Sequence, residues 1–329
     1  MSIKIPMHTF VARQISAFNR LEGEIQEAQS QISLGKTITH ASDDPAAASR
    51  IWQFESETEN LQRYKRGYDI AEIDLSLQSS ALQKVSIGLI RAKELALQAN
   101  SGILNKNDLE VLATEVKELR GGLFDMANLR NSRDQYLFAG VKGDTRPFQE
   151  KNGVISFHGD TEKSMTEVMG GRRIVTADSG SEIFMSVPSK NGGRSLFSIF
   201  DELESVLMGN HDVDKFRNPQ KFPKNSDNNS KPDSHTHEEL MADMISSLTT
   251  SIEHVTRFEA RSGARRSVLL TQRDSIDSLK IDVQSRLADM RDADIASLAS
   301  RLSQGKIILE AAQAAFAKTF DLSLFKYIK

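Results

Sequence analysis

The sequence predicts a mainly α protein with a small inserted β domain, its N- and C-terminal helical arms paired as antiparallel coiled helices beside a longer helical bundle. Three observations carry this. No proline occurs from Ala46 to Arg146 or from Asp233 to Lys329, stretches of 101 and 97 positions, and proline is the strongest breaker of a helix interior. Between them, Gly140 to Gly193 holds 9 of the 19 glycines in 54 positions, as turn-rich β structure does. Apolar residues in both flanks recur at alternating spacings of three and four, which gives a helix one narrow seam for another helix.

The elements follow in order. The first arm carries Phe18, Leu21, Ile25, Ala28 and Ile32 at seam spacing. Gly35 to Ser42 reads as a loop, because Asp44-Pro45 has the form of a helix N-cap followed by proline at the first helical position. Seams continue as Leu82, Val85, Leu89, Ala92, Ala96, Ala99 and as Leu109, Leu112, Val116, Leu119, Leu123, Met126. Asn105 to Asp108 and Gly121-Gly122 are candidate breaks. Short β-type runs cover Val154 to His158, Ser164 to Met169, Arg173 to Thr176 and Ile183 to Val187. Leu196 to Met208 reads as an amphipathic helix, and Gly209 to Pro232, with three prolines and little apolar surface, as a flexible loop. The return leg carries Leu269, Gln272, Ile276, Leu279, Val283, Arg286, Met290, then Ile295, Leu298, Leu302, Gly305, Leu309, Ala312, Phe316; Gln272, Arg286 and Gly305 interrupt the seam. The expected domains are 1–54 paired with 287–329, a bundle of 55–139 with 238–286, a β-rich domain at 140–195, and a helix plus loop at 196–237.

Composition excludes several functions. Lys and Arg number 42 against 45 Asp and Glu, a formal charge of −3, so no global positive field recommends nucleic acid or an anionic membrane as a partner. There is no Cys, which removes disulfides, thiol catalysis and cysteine metal sites. No apolar run is long enough to span a bilayer, and Lys4, Pro6, His8 and Arg13 interrupt any signal-peptide core, so neither a membrane span nor a cleavable signal is expected. Aromatics are only 6% of residues, which favours long helices over one globule.

Apparent chemical motifs fail on spacing. Gly35-Lys36-Thr37 resembles the end of a phosphate loop, but Ser30 stands where that loop needs glycine. His237-Glu238-Glu239-Leu240-Met241 begins like a zinc-protease helix, but Met241 replaces the second histidine. His211, Asp233, His235 and His237 lack the spacing and scaffold of a metal site. Arg257, Arg261, Arg265 and Arg266, beside Glu253 and Glu259, read as a solvated charged face, without the aromatic platform of a nucleic-acid site. No catalytic residue, cofactor or metal is expected, and the chain reads as a non-enzyme.

Two segments carry a resemblance. Ile38-Thr39-His40-Ala41-Ser42-Asp43-Asp44-Pro45-Ala46-Ala47-Ala48 resembles the first-loop signature of flagellins and hook-associated proteins. Met290-Arg291-Asp292-Ala293-Asp294-Ile295-Ala296 resembles their C-terminal signature. Within that family, Tyr136 to Gly140, Arg146-Pro147-Phe148, Phe157 to Asp160, Gly180 to Phe184 and the ending Leu322 to Ile328 are similar to the hook-filament junction proteins, the hook-associated protein 3 family. The loop around Arg217 to His237 departs from the family by its length.

The resemblance implies a secreted structural adaptor at the hook-filament junction of the bacterial flagellum, exported unfolded through the type III apparatus and held beforehand by a cytoplasmic export chaperone. Its implied partners are hook-associated protein 1, flagellin and further copies of itself in a ring; nucleic acid and membrane are not among them. A flagellin filament subunit and a cytoplasmic coiled-coil signalling adaptor are the alternatives. The expected assembly interface is Phe18, Leu21, Ile25, Ile32, Ile295, Leu298, Leu302, Leu309, Phe316, Leu324, Phe325 and Ile328, and the signature residues are Ser42, Asp43, Asp44, Pro45, Asp292, Ala293 and Asp294. Deleting Asn218 to Ser234, a segment with little apolar surface to contribute to a core, is expected to leave export and assembly intact. Loss of motility with export preserved, in a swimming assay paired with secretion blots, would mean that the loop binds a partner.

Overall fold

A computed structural model describes residues 7–101, 104–189, 192–210 and 236–327. Of the described residues 72% are helical. The helices are α1 (Met7–Leu34), α2 (Pro45–Ala99), α3 (Lys106–Ala127), α4 (Gly180–Phe184), α5 (Leu196–Leu207), α6 (His237–Arg291) and α7 (Ile295–Tyr327). The strands are β1 (Phe148–Lys151), β2 (Val154–Phe157), β3 (Ser164–Glu167), β4 (Arg173–Ala177), β5 (Val187–Ser189) and β6 (Gly192–Arg194). The chain divides into two compact units, residues 1–62 with 277–329, and residues 63–276.

In the larger unit the strands form three separate antiparallel hairpins, β1-β2, β3-β4 and β5-β6. Asn152 and Gly153, both at positive φ, make the tight turn between β1 and β2, because two left-handed residues match the twist of the strands they join. The hairpins share one apolar core with the helices: Phe138, Phe148, Ile155 and Ile183 belong to the same buried cluster as Leu82, Leu89, Val116, Leu203 and Leu248. Few as the aromatics are, they concentrate here. The Phe148 ring lies 5.2 Å from Phe157, 5.3 Å from Phe184 and 5.5 Å from Phe197, at tilted and edge-on angles. Gly180 is obligatory beneath them, since a Cβ there would come within 2.8 Å of the Phe148 ring and 2.9 Å of the Phe138 carbonyl oxygen.

Two expectations are corrected. Ile183 to Val187 is not a strand: Ser179 accepts the Ser181 N–H as an N-cap, α4 turns once, and β5 begins only at Val187. A short apolar run does not distinguish the two periods, and one helical turn buries both Ile183 and Phe184. Nor does Gly121-Gly122 end a helix. It lies inside α3, whose Val116, Leu123 and Ala127 are buried on either side, and that burial outweighs a glycine cost of about 1 kcal/mol per residue. Asn105 does begin a helix, through a reciprocal capping box with Asp108.

Helices α2 and α6 run antiparallel in this unit, the Tyr68 hydroxyl meeting Gln272 at 3.3 Å and the Ser262 hydroxyl donating to the Leu75 carbonyl at 3.3 Å. The arginine row on α6 is therefore only partly a solvated face. Arg265 donates to both oxygens of Asp178 at 2.8 and 3.1 Å, and Arg266 and Arg273 reach Glu72. Asp178 is fully buried at the end of β4. Gln78 of α2 closes a ring with it, donating to its carboxylate at 3.0 Å and accepting its backbone N–H at 3.2 Å. Burial pushes the Asp178 carboxyl up, but the hydrogen bonds from Arg265 and Gln78, with Arg265 and Lys163 charges beside them, hold it below its ordinary value. One carboxylate thus ties β4 to both long helices. Arg265→Ala leaves that charge short of its main partner and is expected to destabilise this unit by about 3 kcal/mol, the scale for breaking a buried ion pair. An unchanged urea midpoint would show that Gln78 and Lys163 suffice.

Candidate assembly interface

The smaller unit contains both segments that stood out in the sequence, and it brings them together. Gly35, at φ +65°, ends α1, and the chain after it lies along the corner between α6 and α7. Thr37 N–H donates to the Arg291 carbonyl at 2.7 Å, the Thr37 hydroxyl donates to the Asp292 carbonyl at 3.0 Å, and Ala293 N–H donates to the Gly35 carbonyl at 3.1 Å. Lys36 and Asp292 form an antiparallel bridge. Two loops 255 residues apart in the chain are spliced by backbone pairing.

The aspartates have separable jobs in this corner. Asp44 is the N-cap of α2, its Oδ1 accepting from Ala46 N–H at 3.0 Å and Ala47 N–H at 2.9 Å, with Pro45 at the first helical position. Asp294 caps α7 in the same way, accepting from Ala296 at 3.1 Å and Ser297 at 3.2 Å. Each cap satisfies donors that a helix start leaves orphaned. Asp43 instead holds the loop, accepting from His40 N–H at 2.8 Å, the Thr39 hydroxyl at 3.2 Å and the Ser42 hydroxyl at 3.4 Å. The His40 N–H, opposed by slight burial and helped by the hydroxyls, draws the Asp43 carboxyl below its ordinary 3.8. Its contribution to loop order is therefore full above that value and is lost as pH falls through the lower folded-state value.

Beyond the corner, α1 and α7 pack antiparallel. Phe18 meets Phe316 edge-on at 5.9 Å, and Gly305 faces Ile25 so closely that a Cβ at 305 would lie 3.1 Å from Ile25 Cγ1. Glycine at 305 does not interrupt the seam; it is buried in it and lets the two helices approach. Ala28 and Leu298 are also buried, while Phe18, Leu21, Ile25, Ile32, Leu302, Leu309 and Phe316 are half-buried. The structure thus places these expected interface residues in or beside a seam within one chain. Ile295 lies off it, exposed. Leu324 and Phe325 lie in the backbone of α7, but their side chains, and all of Ile328, fall outside the described residues, as do His211, Asp233 and His235 of the long loop.

Within the same unit Ala48, Ile51 and Leu61 of α2 and Val283 and Leu287 of α6 are also buried. Leu279, assigned to the seam by spacing, is exposed instead, and Arg286 is exposed as the interruption of the seam that its charge implies. An outward apolar set was missed altogether: Ile15, Ile307 and Ile308 are 50%, 63% and 55% exposed. Adjacency was the available signal, since with Gly305 and Leu309 in the seam, Ile307 and Ile308 must turn elsewhere.

Among the described residues no helix is long and apolar enough to cross a membrane, and no group of three potential metal ligands gathers. The bacterial flagellin N-terminal helical region matches residues 11–143, which span α1, the first signature loop, α2 and α3. Flagellar hook-associated protein 3 of Salmonella typhimurium is 27% identical across 98% of this chain and 99% of its own length, and that of Escherichia coli 28% identical across 91% of each. The chain is a homologue of flagellar hook-associated protein 3. The crystal structure of the flagellar junction protein FlgL from Legionella pneumophila shares the fold, at 16% identity and a TM-score of 0.54 over 75% of this chain and all of that one. The homologues are structural flagellar hook-associated proteins and not enzymes, which supports a flagellar structural role here. Asp294→Ala should weaken the α7 start by about 1 kcal/mol, the usual value of an N-cap, and speed amide exchange at Ala296 and Ser297. Unaltered exchange there would mean that the cap is redundant with the Thr37–Asp292 splice.

Proposed function

We propose that this chain is the adaptor that joins hook-associated protein 1 to the flagellin filament, forming a ring with copies of itself and polymerising through its paired terminal helices. The observation that carries the reading is the end-to-end relationship to hook-associated protein 3, which spans both arms and the intervening region together. The smaller unit supports it physically. A pair of helices in contact along one seam leaves Ile15, Ile295, Ile307 and Ile308 facing outward, an arrangement that gains apolar burial only when further helices arrive. The half-buried Leu302 and Leu309 sit at its margin and would be closed over by the same neighbours.

Export through the type III apparatus follows from the same physics. The arms are thin enough for their ordering to be coupled to assembly, because roughly 1 to 2 kcal/mol of backbone entropy per residue must be offset by burial. A cytoplasmic chaperone covering the α7 stripe would keep it from premature association. Placement in the cell is tested by immunogold labelling: signal confined to the hook-filament boundary supports the proposal, whereas signal along the filament or in the cytoplasm rejects it.

Leu302→Asp, Leu309→Asp and Ile308→Asp separate the two faces of α7. The first two put a carboxylate at the margin of the seam, and the third puts one on the outward stripe, each at a desolvation cost on the order of several kcal/mol once neighbours close over it. All three variants are expected to be exported and to block filament growth. Normal-length filaments from the Ile308 variant would exclude the outward stripe, and normal-length filaments from the other two would exclude the seam margin.

A further inference from the structure

The β3-β4 hairpin is fastened to the long helices of the larger unit at both of its ends. At one end Asp178, just past β4, is held by Gln78 of α2 and by Arg265 of α6. The other end is the tip, where Gly170 and Gly171, both at positive φ, turn the chain and Val168 N–H donates to the Arg172 carbonyl at 2.8 Å. This tip presses on α2 at Gly67, where an added Cβ would come within 2.7 Å of the Glu167 carbonyl oxygen and 3.6 Å of Val168 Cα. The lengths agree. Gln78 and Gly67 stand eleven residues apart on α2, about 16 Å at the helical rise, and the five residues of β4 span about 16 Å as extended chain.

The helix pair needs cover at this level. The buried members of the main apolar core lie on α2 from Ala81 onward and on α6 as far as Phe258. Tyr68, Ala71 and Leu75 of α2 and Leu269 of α6 lie beyond those limits and are buried all the same, whereas two helices meeting alone leave most of their seam half-buried, as α1 and α7 do. Val168 at the hairpin tip is buried too, and it likewise stands outside the main core. The larger unit ends at Arg63 on α2 and at Ile276 on α6. Each limit is about one helical turn from the strapped level, marked by Gly67 on α2 and by Gln272, the partner of the Tyr68 hydroxyl, on α6.

We infer that the β3-β4 hairpin is a strap, which holds α2 and α6 together beyond the main core and so sets how far the free chain is ordered before any other subunit arrives. Asp178 anchors it beside the core. The tip seated on Gly67 carries order about three turns further along α2. The strap acts in the free chain, so its test does not depend on where the chain assembles.

Gly67→Ala tests this by the sign of its effect. Alanine in a helix interior is ordinarily stabilising relative to glycine, and Gly88→Ala on the same helix, where an added Cβ meets nothing within 4 Å, should keep or raise amide protection. At Gly67 the new methyl meets a backbone oxygen instead, so the tip must lift. Hydrogen exchange of the full-length Gly67→Ala chain is expected to show protection across 57–76 and 265–284 falling about tenfold or more, the scale of a forced overpacking, with 82–99 and 240–258 unchanged. The fragment that resists limited proteolysis should shorten, beginning past Tyr68 and ending before Gln272. Val168→Ser, which leaves both helices intact, should give the same pattern from the hairpin side. Unchanged or raised protection in Gly67→Ala overturns the strap, as does a Val168 variant that behaves like wild type. Protection lost equally through 82–99 overturns it as well, because the hairpin would then be part of the core.

Discussion

Two helices that meet along one seam can hide only a stripe of each, and that geometry governs how the terminal unit is put together. Between α1 and α7 the stripe is thin: the helices approach closely at Gly305, and most of the large side chains along it are only half-buried. Stability must then come from elsewhere: from backbone pairing at the corner, from capped helix starts and, in the proposed assembly, from helices belonging to other chains. The two sequence signatures are the first of these contributions. Asp44 and Asp294 start α2 and α7, Asp43 orders the loop, and Thr37 with Ala293 stitches the loop to the corner. Signature residues that look like a binding motif in sequence are in the structure a hinge pin for helices.

The larger unit answers a different constraint. Its hairpins are too short to be stable as isolated pairs, and they are held by a phenylalanine cluster and by Asp178. Concentrating the aromatics around Phe148 gives this unit a dense core, whereas among the described residues the terminal pair has one edge-on ring contact, Phe18 with Phe316. In the proposed assembly the larger unit is finished within the chain and the terminal pair is completed by neighbours.

Much of this was legible before any coordinates. Proline-free stretches and 3-4 spacing marked the long helices, Asp44-Pro45 marked the α2 start, and glycine density marked the hairpins. What failed did so for identifiable reasons. Ile183 to Val187 is too short for its period to show, so a helical turn passed for a strand. Gly121-Gly122 is a local signal overridden by the burial around it. Leu279 kept the ideal spacing yet is exposed, the buried face being carried by Val283 and Leu287. The Asp178 ring was invisible because its partners, Gln78 and Arg265, lie 100 and 87 residues away, and no spacing rule links them. Likewise the outward Ile307 and Ile308 become meaningful only once Gly305 is known to be in the seam.

Limited proteolysis of the purified full chain at low concentration tests most directly whether the terminal pair depends on neighbours. The account predicts rapid loss of both ends and a resistant fragment running from near Glu55 to near Arg286, because the seams outside those limits lack the burial to offset chain entropy. Termini as resistant as the middle of the chain would contradict it, and would mean that the corner and its seam hold the arms without any other subunit.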